Sequence, residues 1–194
     1  MVPQLSRNRR PLLGLALAAM AALVAVAPVA AVNTVTQTIT AGTRSASVAD
    51  LNLGSVAYSH SPRTTTGTMT LTADDSTGSN AGWNVTILSS AFVWTAGGSG
   101  ASSGANIPAA NFSLTAAAAP TATAGQAVDV VGGPKVPIIS PVGTLDSARK
   151  TVQALALFGN GTYTQALGVS LSIPAQSAAG TYTGTLTTTM AVAP

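Results

Sequence analysis

The C-terminal stretch, residues 171–194, constrains the fold of this chain more than any other part of the sequence. Over residues 181–192, threonine occupies almost every second position, and Tyr, Gly, Leu, Thr and Met occupy the positions between. Alternation with a period of two is typical of a β-strand that has one buried and one solvated face. A shorter apolar strand at residues 171–173 precedes it, across a turn that starts at Pro174. We therefore predict that the chain ends in two β-strands.

Segments rich in threonine and valine recur along the chain, and turn-forming residues separate them. Strands at this density, with no long segment of helical period after residue 31, indicate a single antiparallel all-β sandwich of immunoglobulin-like or Greek-key type over residues 32–194. The other predicted strands are residues 32–39, 64–72, 83–88, 112–115, 127–131, 151–158 and 168–173.

Three segments are less regular. Residues 151–158 also fit a helical turn by propensity, but their short length and the Gly159 that follows favour a strand. Residues 96–105 and 116–125 consist mainly of small residues and are predicted to be surface loops of the same domain.

The N-terminal segment has the three parts of a secretory signal. Three arginines between residues 7 and 10 form a basic region, residues 12–26 form an apolar run, and a stretch of small residues ends at Ala31. The apolar run is shorter than the roughly 20 residues that a membrane-spanning helix needs. We therefore predict a signal helix at residues 1–31, cleaved after Ala31, and a secreted protein. An uncleaved anchor is the alternative.

Charge and cysteine content narrow the class of partners. The full chain has eight Lys and Arg residues against five acidic residues, which gives a formal net charge of +3. The predicted signal holds three of the arginines, so the rest of the chain has five residues of each sign and is neutral. A neutral chain is not expected to attract nucleic acid, or a membrane once the signal is removed. Without cysteine there are no disulfides, so stability depends on core packing.

Reactive side chains are few. His60 is the single histidine, and no G-x-S-x-G motif accompanies it, so we interpret it as a surface residue and not as a catalytic base. One histidine and no cysteine make a zinc site unexpected. Residues 74–80, which begin with Asp74 and Asp75, supply oxygen ligands for calcium but lack the spacing of an EF-hand, which favours a hairpin turn. We predict a protein that is not an enzyme and has no metal or cofactor.

The two tryptophans are the most informative aromatic residues. Trp83 begins one predicted strand, and Trp94 precedes the glycine-rich segment. On a strand of a sandwich, an indole most often fills the core between the sheets. The functional alternative is a partly exposed indole on which the C–H face of a sugar ring stacks, while nearby Thr, Ser and Asn side chains bond the sugar hydroxyls.

Two blocks of sequence resemble the WxL domain of Gram-positive surface proteins. They are D-D-S-T-G-S-N-A-G-W-N-V-T, which starts at Asp74, and S-I-P-A-Q-S-A-A-G-T-Y-T-G-T-L-T, which starts at Ser172. The resemblance extends over residues 51–194. Members of this family are secreted and are held non-covalently on the cell wall, because this domain binds peptidoglycan.

The name of the family comes from two Trp-x-Leu motifs. The first corresponds to residues 83–85, which keep the indole of Trp83. The second corresponds to residues 188–190, which contain no tryptophan. The resemblance therefore implies that Trp83 is the wall-binding residue.

These observations lead to two hypotheses. The first is a secreted, non-catalytic surface domain that binds peptidoglycan or another cell-wall polysaccharide through Trp83, or that packs beside other surface proteins. The second is a structural subunit of a surface coat or a pilus-like assembly. The Thr- and Val-rich residues 32–39 and the low charge suit the addition of a β-strand from one subunit to another.

Overall fold

The computed structural model describes residues 34–97, 100–139 and 141–192, so the predicted signal at residues 1–31 lies outside the described residues. The chain divides into two units, residues 1–38 and 39–194, and the described strands belong to the second. No helix within the described ranges is long and apolar enough to cross a membrane. The elements are β1 Arg44–Val48, β2 Arg63–Asp75, β3 Trp83–Ser89, β4 Val93–Ala96, the 3-10 turn Ala109–Asn111, β5 Phe112–Ala117, β6 Thr121–Gly125, β7 Gly143–Thr144, β8 Arg149–Ala154, β9 Gly161–Ile173, β10 Gly180–Thr183 and β11 Leu186–Val192.

Antiparallel pairing arranges these strands in two main sheets and one short ribbon. The larger sheet has the order β1-β2-β9-β5-β7, with β6 also paired to β9, and the smaller sheet has the order β11-β3-β8. β4 and β10 form the ribbon. Side chains from both sheets share one hydrophobic core, in which the ring centroids of Trp83 on β3 and Tyr163 on β9 are 6.0 Å apart. The predicted all-β sandwich is therefore confirmed.

β9 is the central strand of the larger sheet. All 13 of its residues pair with β2, which is equally long. On its other side, β9 pairs with β5 towards its C-terminal end and with β6 towards its N-terminal end. Residues 116–125 were predicted to be a loop, but they contain the end of β5 and all of β6. This prediction is wrong because β9 offers an open edge on which even small, weakly β-forming residues can pair.

The alternation in the sequence matches the alternation of burial. In β2, Met69 and Leu71 are buried, whereas the threonines beside them are mostly exposed. In β3, Val85 and Ile87 are fully buried, and the residues between them are not. Removing these apolar faces from water, at about 25 cal/mol per Å², is the main stabilising contribution in a fold without disulfides.

The C-terminal stretch forms its second predicted strand in two parts. β10 pairs with β4 and β11 pairs with β3, so the chain changes partner between Thr183 and Leu186. At this point the Thr185 carbonyl accepts a hydrogen bond from the backbone N–H of Ser90, and a Cβ at Gly184 would lie 3.1 Å from the Phe92 ring. The predicted alternation is present in β11, where half-buried and exposed positions alternate as far as residue 191. The first predicted strand, residues 171–173, is the end of β9.

Two other predicted strands are wrong. The described part of the first, residues 34–39, forms no strand and is exposed. Residues 127–131 form no strand, and a turn follows Asp129, because the Asp129 carboxylate accepts the backbone N–H groups of Gly132 at 2.6 Å and Val131 at 2.8 Å. The same two hydrogen bonds lower the pKa of Asp129. Residues 151–158 form a strand only as far as Ala154.

The segment at residues 76–82 is not the hairpin turn that the sequence predicts. It carries the chain from β2 in the larger sheet to β3 in the smaller sheet, and these two strands do not pair. A local sequence pattern shows that a turn follows a strand, but it does not show in which sheet the next strand lies.

Candidate functional site

Trp83 lies in the core and not on the surface. Its exposed fraction is 0%, and its Nε1 donates a hydrogen bond to the Gly159 carbonyl oxygen at 2.8 Å. Gly159 comes so close that a Cβ there would lie 2.6 Å from Nε1, and its φ of +81° also favours glycine. The prediction that Trp83 is a wall-binding residue is therefore wrong in this fold, because no face of the indole is open to a sugar ring.

The two segments that correspond to the WxL motifs are neighbours in the smaller sheet. β3 and β11 pair so that Trp83 lies opposite Val192 and Val85 lies opposite Met190. Val85 is fully buried, and Met190 packs half-buried against the same core. Both segments thus contribute to the packing between the sheets, and neither presents an exposed aromatic ring.

Trp94 on β4 is half-buried and contacts two loops at once. Its Nε1 donates a hydrogen bond to the Ala179 carbonyl oxygen at 3.3 Å, and its backbone N–H donates to Oδ1 of Asn106 at 3.0 Å. Gly104 lies against the indole, since a Cβ there would be 2.7 Å from Cγ, and Gly180 lies against the edge that carries Nε1. Glycine at these two positions allows both loops to approach the ring, so Trp94 acts as a brace between them.

The same two loops form the walls of a shallow groove of about 380 Å³, which we call the polar groove. Residues 103–107 line one wall and residues 174–178 line the other. Ser103, Asn106, Gln176 and Ser177 bring hydroxyl and amide groups to it, and none of the lining residues carries a charge. Such a surface can donate hydrogen bonds to a neutral, hydroxyl-rich ligand and accept hydrogen bonds from it.

The sequence analysis did not find the polar groove, because its walls come from segments far apart in the chain. The nearest signals were the glycines around Trp94 and the I-P-A-Q-S block that starts at Ile173. Neither pattern by itself indicates that the two segments meet.

A second, more apolar groove of about 670 Å³ lies between β1 and the start of β11, and we call it the edge groove. β1 and β11 are the outermost strands of their sheets, and within the described residues each pairs with another strand on one side only. Phe92 and Phe112 are buried beneath the groove. Its half-buried apolar side chains are Ala46, Val48, Leu51, Leu53 and Leu186.

Asp75 forms an internal ion pair with Arg44. It is 3% exposed, its Oδ2 lies 2.7 Å from Nη2 of Arg44, and its Oδ1 accepts a hydrogen bond from the Thr77 hydroxyl at 2.6 Å. Burial by itself raises the pKa of Asp75, but the hydrogen bonds from Thr77 and Arg44 outweigh burial and lower this pKa below its ordinary value of 3.8. The pair links β1 to the end of β2.

Asp74 points to the opposite face of β2 and is also engaged. Its carboxylate accepts hydrogen bonds from the hydroxyls of Ser76 at 2.7 Å and Thr162 at 2.6 Å. Among the residues that the structure describes, no three acidic or histidine side chains are grouped as a metal site would require. The two aspartates at the start of residues 74–80 thus serve the fold by joining strands.

His60 is exposed in the segment between β1 and β2. Its imidazole contacts the ring of Tyr58 edge-on, with 5.2 Å between the ring centroids. This position agrees with the interpretation of His60 as a surface residue.

The chain matches no protein-family model, and neither a curated protein nor a solved structure matches it. The resemblance to WxL domains therefore stays a prediction from two sequence blocks. The features that can bear on function are the two grooves and the unpaired strand edges.

Proposed function

We propose that this chain is an exported, non-catalytic surface protein that binds neutral cell-wall polysaccharide through the polar groove. The proposal keeps the role that the WxL resemblance implies, but it moves the contact from Trp83 to the loops that Trp94 braces. What supports it is a groove with hydroxyl and amide side chains and no charged side chain among its lining residues. Sugar hydroxyls donate and accept hydrogen bonds, and Ser, Asn and Gln side chains do the same. A neighbouring surface protein is the alternative ligand.

The contacts of Trp94 with both walls of the polar groove favour ligand binding. Because the indole holds both walls and β4 is paired with β10, the groove does not have to be ordered when a ligand binds, which lowers the entropic cost of binding. A shallow neutral groove gives weak binding at a single site. A wall polymer repeats its units, and many weak sites on one surface retain a protein far longer than one site does.

We expect the purified protein to sediment with peptidoglycan sacculi that have been stripped of protein, and Ser103→Leu to bind them at least about tenfold more weakly. Ser103 is exposed in one wall of the polar groove, so the larger side chain fills the groove without changing the core. Trp94→Ala should also weaken binding, because the two walls lose their brace. Tyr58→Ala removes an aromatic side chain that is 57% exposed in another segment and should bind like the wild type.

Two outcomes would contradict the proposal. A wild-type protein that stays in the supernatant does not bind the wall polymer. A Ser103→Leu variant that keeps its circular dichroism spectrum and binds as strongly as the wild type shows that the polar groove is not the contact.

A further inference from the structure

We propose that residues 34–40 of one copy of this chain add as a β-strand to the free edge of β11 in a second copy and cover the edge groove. The inference is independent of polysaccharide binding at the polar groove. It makes the chain a subunit that joins to others of its kind in a row.

The donor segment has the sequence of a strand without the structure of one. In T-V-T-Q-T-I-T, threonine alternates with Val35, Gln37 and Ile39. Residues 34–40 form no strand, and Val35 and Ile39 are 96% and 92% exposed. β-branched residues in strict alternation usually mark a strand that buries one face. This segment therefore lacks the partner that its sequence suits.

The acceptor edge is unpaired among the described strands and partly apolar where the segment would lie. β11 pairs with β3 on one side, and among the described strands none pairs with its other side. Along β11, Leu186, Thr188 and Met190 are half-buried, which shows that the core is incompletely covered at this edge. An unpaired edge next to an incompletely covered core is the surface to which a strand from another chain adds.

Length, pattern and charge of the donor segment match this edge. An antiparallel register that pairs Ile39 with Leu186 places residues 34–39 beside residues 186–191 of β11. In this register Val35, Gln37 and Ile39 share the half-buried face of β11, while the threonines continue its exposed face. The donor segment carries no charge, and Asp50 is the one charged residue among those that line the groove.

The exposure of the donor segment favours a second copy over self-insertion. In the single chain Val35 and Ile39 stay exposed, and no residue of the segment is among those that line the edge groove. The segment therefore does not fill the groove of its own copy. Because donor and acceptor surfaces differ, such contacts repeat without closing.

A pair of double variants tests the inference by size-exclusion chromatography with light scattering, on protein purified from an exporting bacterial host. We expect the wild type to form a ladder of multiples that grows with concentration. Val35→Asp with Ile39→Asp should abolish the ladder, because two carboxylates would face the apolar groove. Thr36→Asp with Thr38→Asp adds the same charge to the outward face and should keep the ladder. A wild type that stays monomeric, or two double variants that behave alike, would overturn the inference.

The absence of cysteine from the chain allows a second test. Ile39→Cys mixed with Leu186→Cys should form a disulfide-linked dimer under mild oxidation, whereas Val130→Cys, which replaces a side chain that is 91% exposed, should not link to Leu186→Cys. The chain that carries both Ile39→Cys and Leu186→Cys should link between copies. A cross-link within one copy at high dilution would overturn the assignment to a second copy. In either result, sedimentation of Val35→Asp with Ile39→Asp on sacculi separately reports polysaccharide binding.

Discussion

We expect Trp83→Ala to lower the free energy of unfolding by about 4 kcal/mol, because replacing a fully buried Trp by Ala removes its transfer free energy and leaves a cavity. The indole is 0% exposed, packs near Tyr163 and donates a hydrogen bond to the Gly159 carbonyl. Urea unfolding followed by circular dichroism measures the change. The native fold lacks other covalent support, since the chain has no cysteine, so such a loss is large compared with the total stability of an ordinary domain.

Two further variants separate the contributions at this site. Trp83→Phe keeps an aromatic ring but leaves the buried Gly159 carbonyl without its donor, so its loss should lie between that of the alanine variant and zero. Trp94→Ala removes a half-buried indole and should cost less than Trp83→Ala. A loss below about 1.5 kcal/mol for Trp83→Ala would show that the indole is not packed in the core as described.

The second large effect concerns the ion pair of Asp75 and Arg44. Asp75→Asn keeps the shape of the side chain but removes its charge, which leaves the Arg44 side chain, 12% exposed, without a counter-charge. We expect a loss of about 3 kcal/mol at neutral pH, since removing one partner of a buried pair leaves the other one uncompensated. Asp146→Asn removes an exposed carboxylate from another loop and should change stability little.

The same carboxylate predicts how stability depends on pH. Its pKa is lower in the folded state than the ordinary value of 3.8, so its contribution is complete above that value and is lost as the pH falls through the folded value. The wild type should therefore lose stability below about pH 4, and Asp75→Asn should lose less over the same interval. Unfolding curves at a series of acidic pH values measure this difference, and parallel slopes for the two proteins would contradict it.

The strands that the sequence predicted best are those with large apolar residues on one face. In β2, β3 and β9, alternation of threonine with Met, Leu, Val or Tyr matches burial against the opposite sheet. The same alternation indicates that Trp83 is buried. Val85 and Ile87 follow Trp83 at a spacing of two, so the three side chains share the buried face of β3. The resemblance to a wall-binding motif gave this residue a role that its strand position did not support.

The elements that the sequence analysis did not predict depend on partners that are far away in the chain. β6 contains little besides alanine and threonine, and its strand state comes from the open edge of β9. Residues 127–131 show the opposite case, a predicted strand that does not form. Their valines suggested a strand, but the Asp129 side chain accepts hydrogen bonds from the backbone N–H groups of Val131 and Gly132. The polar groove was also missed because its residues are distant in sequence. Ser103 and Gln176 lie in opposite walls, and only the folded chain brings these walls together.

The position of β9 in the chain has a consequence for the order of events during synthesis. β2 is made early, yet the strand that pairs with it along its whole length spans residues 161–173. Until these residues have emerged from the ribosome, the larger sheet lacks its central strand. β5 and β6 also pair with β9, so they have no partner before that point. Contacts between such distant residues make folding slow, on the order of milliseconds to seconds. The larger sheet thus cannot form before residues 161–173 have been made.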